Sequence, residues 1–248
     1  MYQITRNQDR YHFENDWLST YWHFSFDHYY DQENVNFGPL RVFNDDVIQA
    51  DKGFGTHGHK EMEIVTYVLD GELEHRDSTG GHGTISSREV QRMTAGTGIR
   101  HSEFNASRVN PVHLLQVWIL PSQPNLKPGY EQRRFSPKQR EGTLLPVVSG
   151  RNGAHSPANN SGTGRSGADP APLGIHQDAT FYVSTIRPED NLVFPTAADR
   201  RAYLFVISGS IQAGKHLLEA GDVAKIWQET SVPLKASERS EIILIDLP

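Results

Sequence analysis

The 248-residue sequence contains no cysteine. That one absence excludes disulfides, thiolate metal sites and cysteine nucleophiles together. Long apolar runs are missing too: no stretch approaches the ~18 residues of a membrane-spanning helix, so no membrane association is expected. The opening residues, Met1 to Arg6, lack the apolar h-region of a secretory signal, which makes a cytoplasmic protein the expectation. Positive charge is in deficit, with 24 Lys and Arg against 30 Asp and Glu and a formal net charge of -6. A general nucleic-acid binder carries the opposite balance, so direct binding of DNA or RNA is not expected. The glycine-rich strings from Gly71 to Gly83 and from Gly162 to Gly164 hold no Gly-Lys-Ser/Thr phosphate cradle, which makes nucleotide binding improbable.

What is present is a succession of short β-branched and aromatic runs bounded by Gly, Asp, Asn or Pro. Leu40 to Phe43, Ile64 to Leu69, Val112 to Leu120, Phe181 to Ile186, Tyr203 to Ile207 and Ile242 to Leu247 all have this form. Many short strands with turn signals between them predict an all-β sandwich or barrel. From Ser149 to Pro172 the chain is rich in Gly, Ser, Asn, Ala and Pro, a composition expected of a flexible linker or long loop. It divides the chain into residues 1–146, a linker over 147–172 and residues 173–248. The two parts echo one another. Tyr67 to Leu73 and Phe205 to Ile211 are both strand, glycine turn and strand, and each is followed by an Ala-Gly pair, Ala95-Gly96 and Ala220-Gly221. A duplicated β-barrel produces such an echo, and so does the ordinary reuse of turns in β proteins.

Twelve histidines stand against the missing cysteines, so any metal here is held by nitrogen and oxygen. The strongest local signal is Gly53 to Glu63, which contains His57-Gly58-His59. On a strand, residues two apart share a face, so His57 and His59 point together, with Glu63 on the same parity. About 0.6 of such a pair is expected by chance from this composition, so the pair alone is weak. A second pair, His101 and Glu103 within Gly96 to Asn105, has the same spacing. Two such pairs on separate strands supply three imidazoles and a carboxylate while leaving positions open to substrate. The other nine histidines, among them His75, His113, His155 and His176, are read as unpaired with a carboxylate. Tyr21 to Phe26 is read as core packing, while Phe54 and Met93, which flank the metal motifs, are candidates to line a pocket.

Glu63 to Ser78 and Gln91 to Glu103 resemble the sequence of the pirin family within the cupin superfamily almost word for word. Phe24-Ser25-Phe26-Asp27, Gly38 to Val42, Gln116 to Ile119 and Pro128 to Gln132 are similar too, so the resemblance is strong over residues 10 to 146. The part from Leu173 to Pro248 is closer to the bacterial quercetinase-like branch. The resemblance implies a bicupin, two facing β-barrels with metal in the N-terminal one only. It also implies His57, His59, His101 and Glu103 as metal ligands. The wider cupin pattern would instead use Glu63 as the carboxylate ligand, and Gly58 replaces the proline usual between the first two histidines. The ion implied is one divalent transition metal, iron first, with nickel, manganese, cobalt and copper also accepted by such ligands. The activity implied is oxidative ring cleavage of a flavonol such as quercetin with dioxygen, a flavonol 2,3-dioxygenase, with Glu103 or Glu63 taking the substrate's proton. The alternative implied is a non-catalytic metalloprotein that senses redox state and regulates a protein partner. A monomer is expected. Aligning Gly209 with Gly71 and Gly221 with Gly96 sets Pro195, Ala197, Ile226 and Gln228 opposite the four ligands. The second barrel is therefore expected to be structural.

Overall fold

The computed structural model describes residues 1–150 and 171–248, and β-strands dominate it. The chain divides into two compact units. One is Arg10–Arg134 with Leu173–Gln177; the other is Met1–Asp9, Phe135–Pro172 and Asp178–Pro248. No helix among the described residues is long and apolar enough to cross a membrane.

The chain opens with β1 (Tyr2–Thr5), which belongs to the second unit. The first unit then runs through β2 (Tyr11–Glu14), β3 (Leu18–Trp22), β4 (Leu40–Ile48), β5 (Gly53–His59), β6 (Glu63–Asp70) and β7 (Glu72–Asp77). It continues through β8 (His82–Ser86), β9 (Glu89–Thr94), β10 (Ile99–Asn105), β11 (Val112–Ile119) and β12 (Gly129–Arg134). These pair as a seven-stranded sheet, β12-β9-β6-β11-β4-β3-β2, and a four-stranded sheet, β5-β10-β7-β8. In β6 the run Ile-Val-Thr-Tyr-Val is buried on both faces, which is why it reads as continuous rather than alternating.

The interior between the sheets is layered. At one end Leu18, Ile48, Val68, Leu73, Ile85, Val112 and Leu114 form an apolar cluster. Near the other end Ile64, Met93, Ala95 and Ile99 form a second, with Trp118 against it. Between them lies a polar belt in strand register. Gln91 of β9 pairs with Thr66 of β6, Thr66 with Gln116 of β11, and Gln116 with Asn44 of β4.

The second unit contains α1 (Pro137–Arg140) and β13 (Leu145–Ser149), while β14 (Leu173–Gly174) groups with the first unit. It resumes with β15 (Thr180–Ile186), β16 (Leu192–Pro195), β17 (Arg201–Ser208), β18 (Ser210–Ala213), β19 (His216–Glu219), β20 (Val223–Trp227), β21 (Ser231–Ala236) and β22 (Ser240–Leu247). Its strand orders are β1-β20-β17-β22-β15-β13 and β16-β21-β18-β19. The central run β20-β17-β22-β15 repeats β9-β6-β11-β4, and β16-β21-β18-β19 repeats β5-β10-β7-β8. The duplicated barrel is therefore real. Gly71 and Gly209 occupy the equivalent turns with φ of 81° and 77°, and a Cβ on Gly71 would lie 2.8 Å from the Pro111 carbonyl oxygen.

Two boundaries differ from the sequence reading. Residues 147–149 belong to β13 rather than to a linker, and 151–170, with His155, lie outside the described residues. The first residues also leave the N-terminal barrel. Tyr2 to Thr5 pair with Ile226 to Val223, and Tyr2 and Ile4 pack on the core of the second unit.

Candidate metal centre

The site is assembled by two neighbouring strands. In the β5–β10 pair His57 lies opposite His101 and His59 opposite Ile99, so three histidines converge from two edges. In β10 the inward positions are Ile99, His101, Glu103 and Asn105, all buried, while Arg100 and Phe104 face out. The ligand atoms of His57, His59 and His101 all lie within 4.8 Å of one another. Nε2 of His101 is 3.0 Å from Nε2 of His57, and Nδ1 of His57 is 2.8 Å from the Gly55 carbonyl oxygen. A carbonyl only accepts, so the His57 proton belongs on Nδ1 and Nε2 presents a lone pair toward His101.

Electrostatics keep these rings receptive to a cation. Burial, reinforced by His101 and His57, holds the His59 pKa at about 4. Burial also brings His101 to about 4, with the opposing pull of Glu103 outweighed. Both imidazoles are therefore neutral at neutral pH, the form that binds a metal. Neutral nitrogens converging on one point with a carboxylate alongside are a donor set that fits a divalent transition ion.

Glu103 joins this cluster through His101. Its carboxylate, with His101 and His75, forms a second group whose ligand atoms lie within 4.8 Å. The polar belt holds it from both sides: Gln91 donates to Oε1 at 2.9 Å and Gln116 to Oε2 at 2.7 Å. Burial alone would raise the Glu103 pKa, but His75, His101 and Gln91 more than offset it and leave it at about 2. Glu103 is a fixed, ionised carboxylate.

Glu63 is not brought to this site, and it belongs to neither cluster. Strand β5 ends at His59, Glu61 adopts a left-handed φ of 51°, and β6 starts afresh at Glu63, so the parity count from His59 fails. Ile64, the next residue, joins the inner cluster with Met93 and Trp118, which puts Glu63 on the opposite face of β6. There its carboxylate accepts from Thr94 Oγ1 at 2.8 Å and meets His176 Nδ1 at 2.9 Å.

The apolar candidates divide. Met93 is core, fully buried. Phe54 is edge-on to His57 at 6.4 Å between ring centres. Of the Tyr21 to Phe26 segment, Trp22 and Phe24 are buried as expected, yet Phe26 stands edge-on to Trp118, itself edge-on to His59 at 4.8 Å. An aromatic wall thus reaches the cluster. His59 also lines an open recess of about 380 Å³, where Lys60 and Arg100 contribute positive charge.

Sequence reasoning passed over His75. His75 and Asp77 are two apart on β7, the same spacing as His101 and Glu103, and they meet at 3.0 Å through Nε2. His113 is likewise paired, with Asp45 at 2.6 Å.

The second unit carries no equivalent cluster among the described residues. Counting four residues past each turn glycine makes Ala213 the equivalent of His75. Ala213 pairs with Leu234 as His75 pairs with Glu103, and Val232 pairs with Phe194 as His101 pairs with His57. Leu234, Val232, Phe194 and Thr196 therefore take the four ligand places. The residues expected from the Gly221–Gly96 alignment, Ile226 and Gln228, are displaced because Gly221 precedes β20 whereas Gly96 follows β9.

Residues 4–119 match the family described as Pirin, and residues 161–247 match the quercetinase C-terminal cupin domain. The chain is 39% identical over 248 residues to a quercetin 2,3-dioxygenase of Escherichia coli K12, covering all of this chain and 99% of that one. It is 34% identical over 233 residues to a pirin-like protein of Caulobacter vibrioides, covering 94% of each. The crystal structure of the E. coli bacterial pirin YhhW in complex with nickel(II) superposes with a TM-score of 0.87 at 38% identity, covering 100% of this chain and 99% of that one. With two barrels in duplicate strand order and the His57, His59 and His101 cluster in the first, this chain belongs to the pirin family.

Proposed function

We propose that the protein is a metal-dependent flavonol 2,3-dioxygenase that opens the ring of quercetin or a related flavonol with dioxygen. The observation that carries this reading is the convergence of His57, His59 and His101 beside the fixed carboxylate of Glu103, in a full-length relative of a quercetin 2,3-dioxygenase. His57, His59, His101 and Glu103 would hold one divalent ion, and nickel in the E. coli relative supports such an ion without selecting it here. Bound there, such an ion would supply Lewis acidity toward a hydroxyl substrate.

The chain's own residues do the rest. Among the described residues Glu103 is the only carboxylate in the two clusters, so it is the group assigned to accept the hydroxyl proton. Gln91 and Gln116 hold it ionised and in place, one on each oxygen. Trp118, with Phe26 edge-on to it, gives an aromatic wall beside His59 against which a flavonol ring can pack. The second barrel, with Phe194, Val232 and Leu234 in its core, has a structural role.

Incubating metal-loaded protein with quercetin under air and under anaerobic conditions tests the reading. Oxygen-dependent loss of quercetin is expected; its absence overturns the proposed activity.

A further inference from the structure

We propose that His75 is a positioning residue through which Asp77 fixes the ring of His101 and so prepares its Nε2 for the metal. The inference rests on the ligand set proposed above and extends it by a further layer of side chains. His75 is fully buried, and neither the His-x-His pair nor the His101–Glu103 pair includes it.

The hydrogen-bond roles follow from one requirement. If His101 presents Nε2 to the ion, as its convergence on His57 Nε2 at 3.0 Å indicates, its proton must sit on Nδ1. That Nδ1 faces Nδ1 of His75 at 3.5 Å, so His75 must accept there and carry its own proton on Nε2. Nε2 of His75 meets Asp77 Oδ2 at 3.0 Å, and a carboxylate is the acceptor that arrangement needs.

Asp77 is itself held. Its Oδ1 accepts from the backbone N–H groups of Thr79 and Gly81, at 2.7 and 3.1 Å, and from Thr79 Oγ1 at 2.6 Å. Tyr130 stacks on a face of the His75 ring, with ring centres 4.4 Å apart and planes 15° apart, and fixes the imidazole plane. The relay runs from a backbone turn to Asp77, to His75, to His101. Carboxylate–histidine–metal arrangements usually have one histidine between; here there are two.

This geometry makes Asp77→Asn a sharp probe. The three donors on Oδ1 require the new carbonyl oxygen, so the new NH2 must face Nε2 of His75. The His75 proton then moves to Nδ1, directly opposite the N–H of His101, and His101 must shift its proton to the nitrogen that binds the ion. Zinc(II) titration with calorimetry should show affinity falling about 10- to 100-fold in Asp77→Asn. In zinc-loaded wild type, two-bond 1H–15N correlations should show His75 protonated on Nε2 and His101 on Nδ1. His75→Asn places an amide oxygen where Nδ1 stood and should restore most of the affinity that His75→Gln, which reaches only toward Asp77, loses.

The proposal is overturned if Asp77→Asn binds zinc with wild-type affinity, or if the loaded wild type shows His75 protonated on Nδ1. It is equally overturned if His75→Gln binds as well as His75→Asn. Circular dichroism of each metal-free variant confirms folding, and the wild-type spectrum decides the matter should a variant fail to fold. His101→Ala separates the two levels of the argument. Zinc retained in that variant refutes the ligand set, whereas zinc lost there but kept in Asp77→Asn refutes only the positioning role.

Discussion

Glu103→Gln keeps the shape of the side chain and removes its charge from a fully enclosed position. In the metal-free protein the Glu103 carboxylate sits at about 2 rather than at the ordinary 4.5. That difference corresponds to about 3 kcal/mol of folding stability at neutral pH, and burial leaves little solvent to screen it. The hydrogen bonds give a similar figure. Each amide donor loses a charged acceptor, at about 1 kcal/mol per bond. One donor must also turn. Gln91 can reverse its amide, because its Oε1 has no partner among the described residues, whereas Gln116 would forfeit the bond from Trp118 Nε1. Denaturant unfolding at pH 7 should therefore show the variant less stable by about 2–3 kcal/mol. The sign with pH follows from the depressed pKa: the contribution is complete above about 4.5 and is lost as pH falls through about 2. The gap between wild type and variant should shrink by about half between pH 7 and pH 3. A gap that stays constant over that range, or no gap at all, would refute the account of Glu103 as an ionised carboxylate held by the polar belt.

Glu63→Gln should leave metal content unchanged, since its carboxylate is engaged by Thr94 and His176 on the opposite face of β6; metal loss in elemental analysis would restore Glu63 as a ligand. Asp46→Asn should be more stable than wild type at alkaline pH. Burial, with help from Asp45 and Glu103, raises the Asp46 pKa to about 7, so the folded state loses stability as pH rises from about 4 toward 7. The gain should be near zero at pH 4 and reach about 2–4 kcal/mol at pH 8 by thermal or denaturant unfolding; a gain independent of pH would contradict it.

Strand positions and the ligand faces were readable because both rest on a period of two. Val112 to Leu120 and Ile64 to Leu69 are strands where the β-branched runs place them. His57 with His59, and His101 with Glu103, emerge on common faces because β5 keeps register with β10 from His57 to His59 and β10 keeps register with β7 from His101 to Glu103. The same rule misplaced Glu63 because a left-handed residue, Glu61, interrupts the count, and nothing in the glutamate's type announces that conformation. His75-x-Asp77 was legible by the spacing already applied to His101 and Glu103. Its partners were not, since the approach of β7 to β10 is a long-range pairing. The belt of Gln91, Thr66, Gln116 and Asn44 was hidden for the same reason. Each residue is one polar position in a different strand, and only the register aligns them. The placement of β1 beside β20 joins residues more than two hundred positions apart, which no local pattern encodes.

The central claim is that His57, His59, His101 and Glu103 hold one ion on which the chemistry depends. Elemental analysis of purified wild type and His101→Ala, each folded by circular dichroism, tests it most directly. The account predicts one divalent transition ion per chain in the wild type and loss of that ion in His101→Ala. Full metal content in His101→Ala would contradict it.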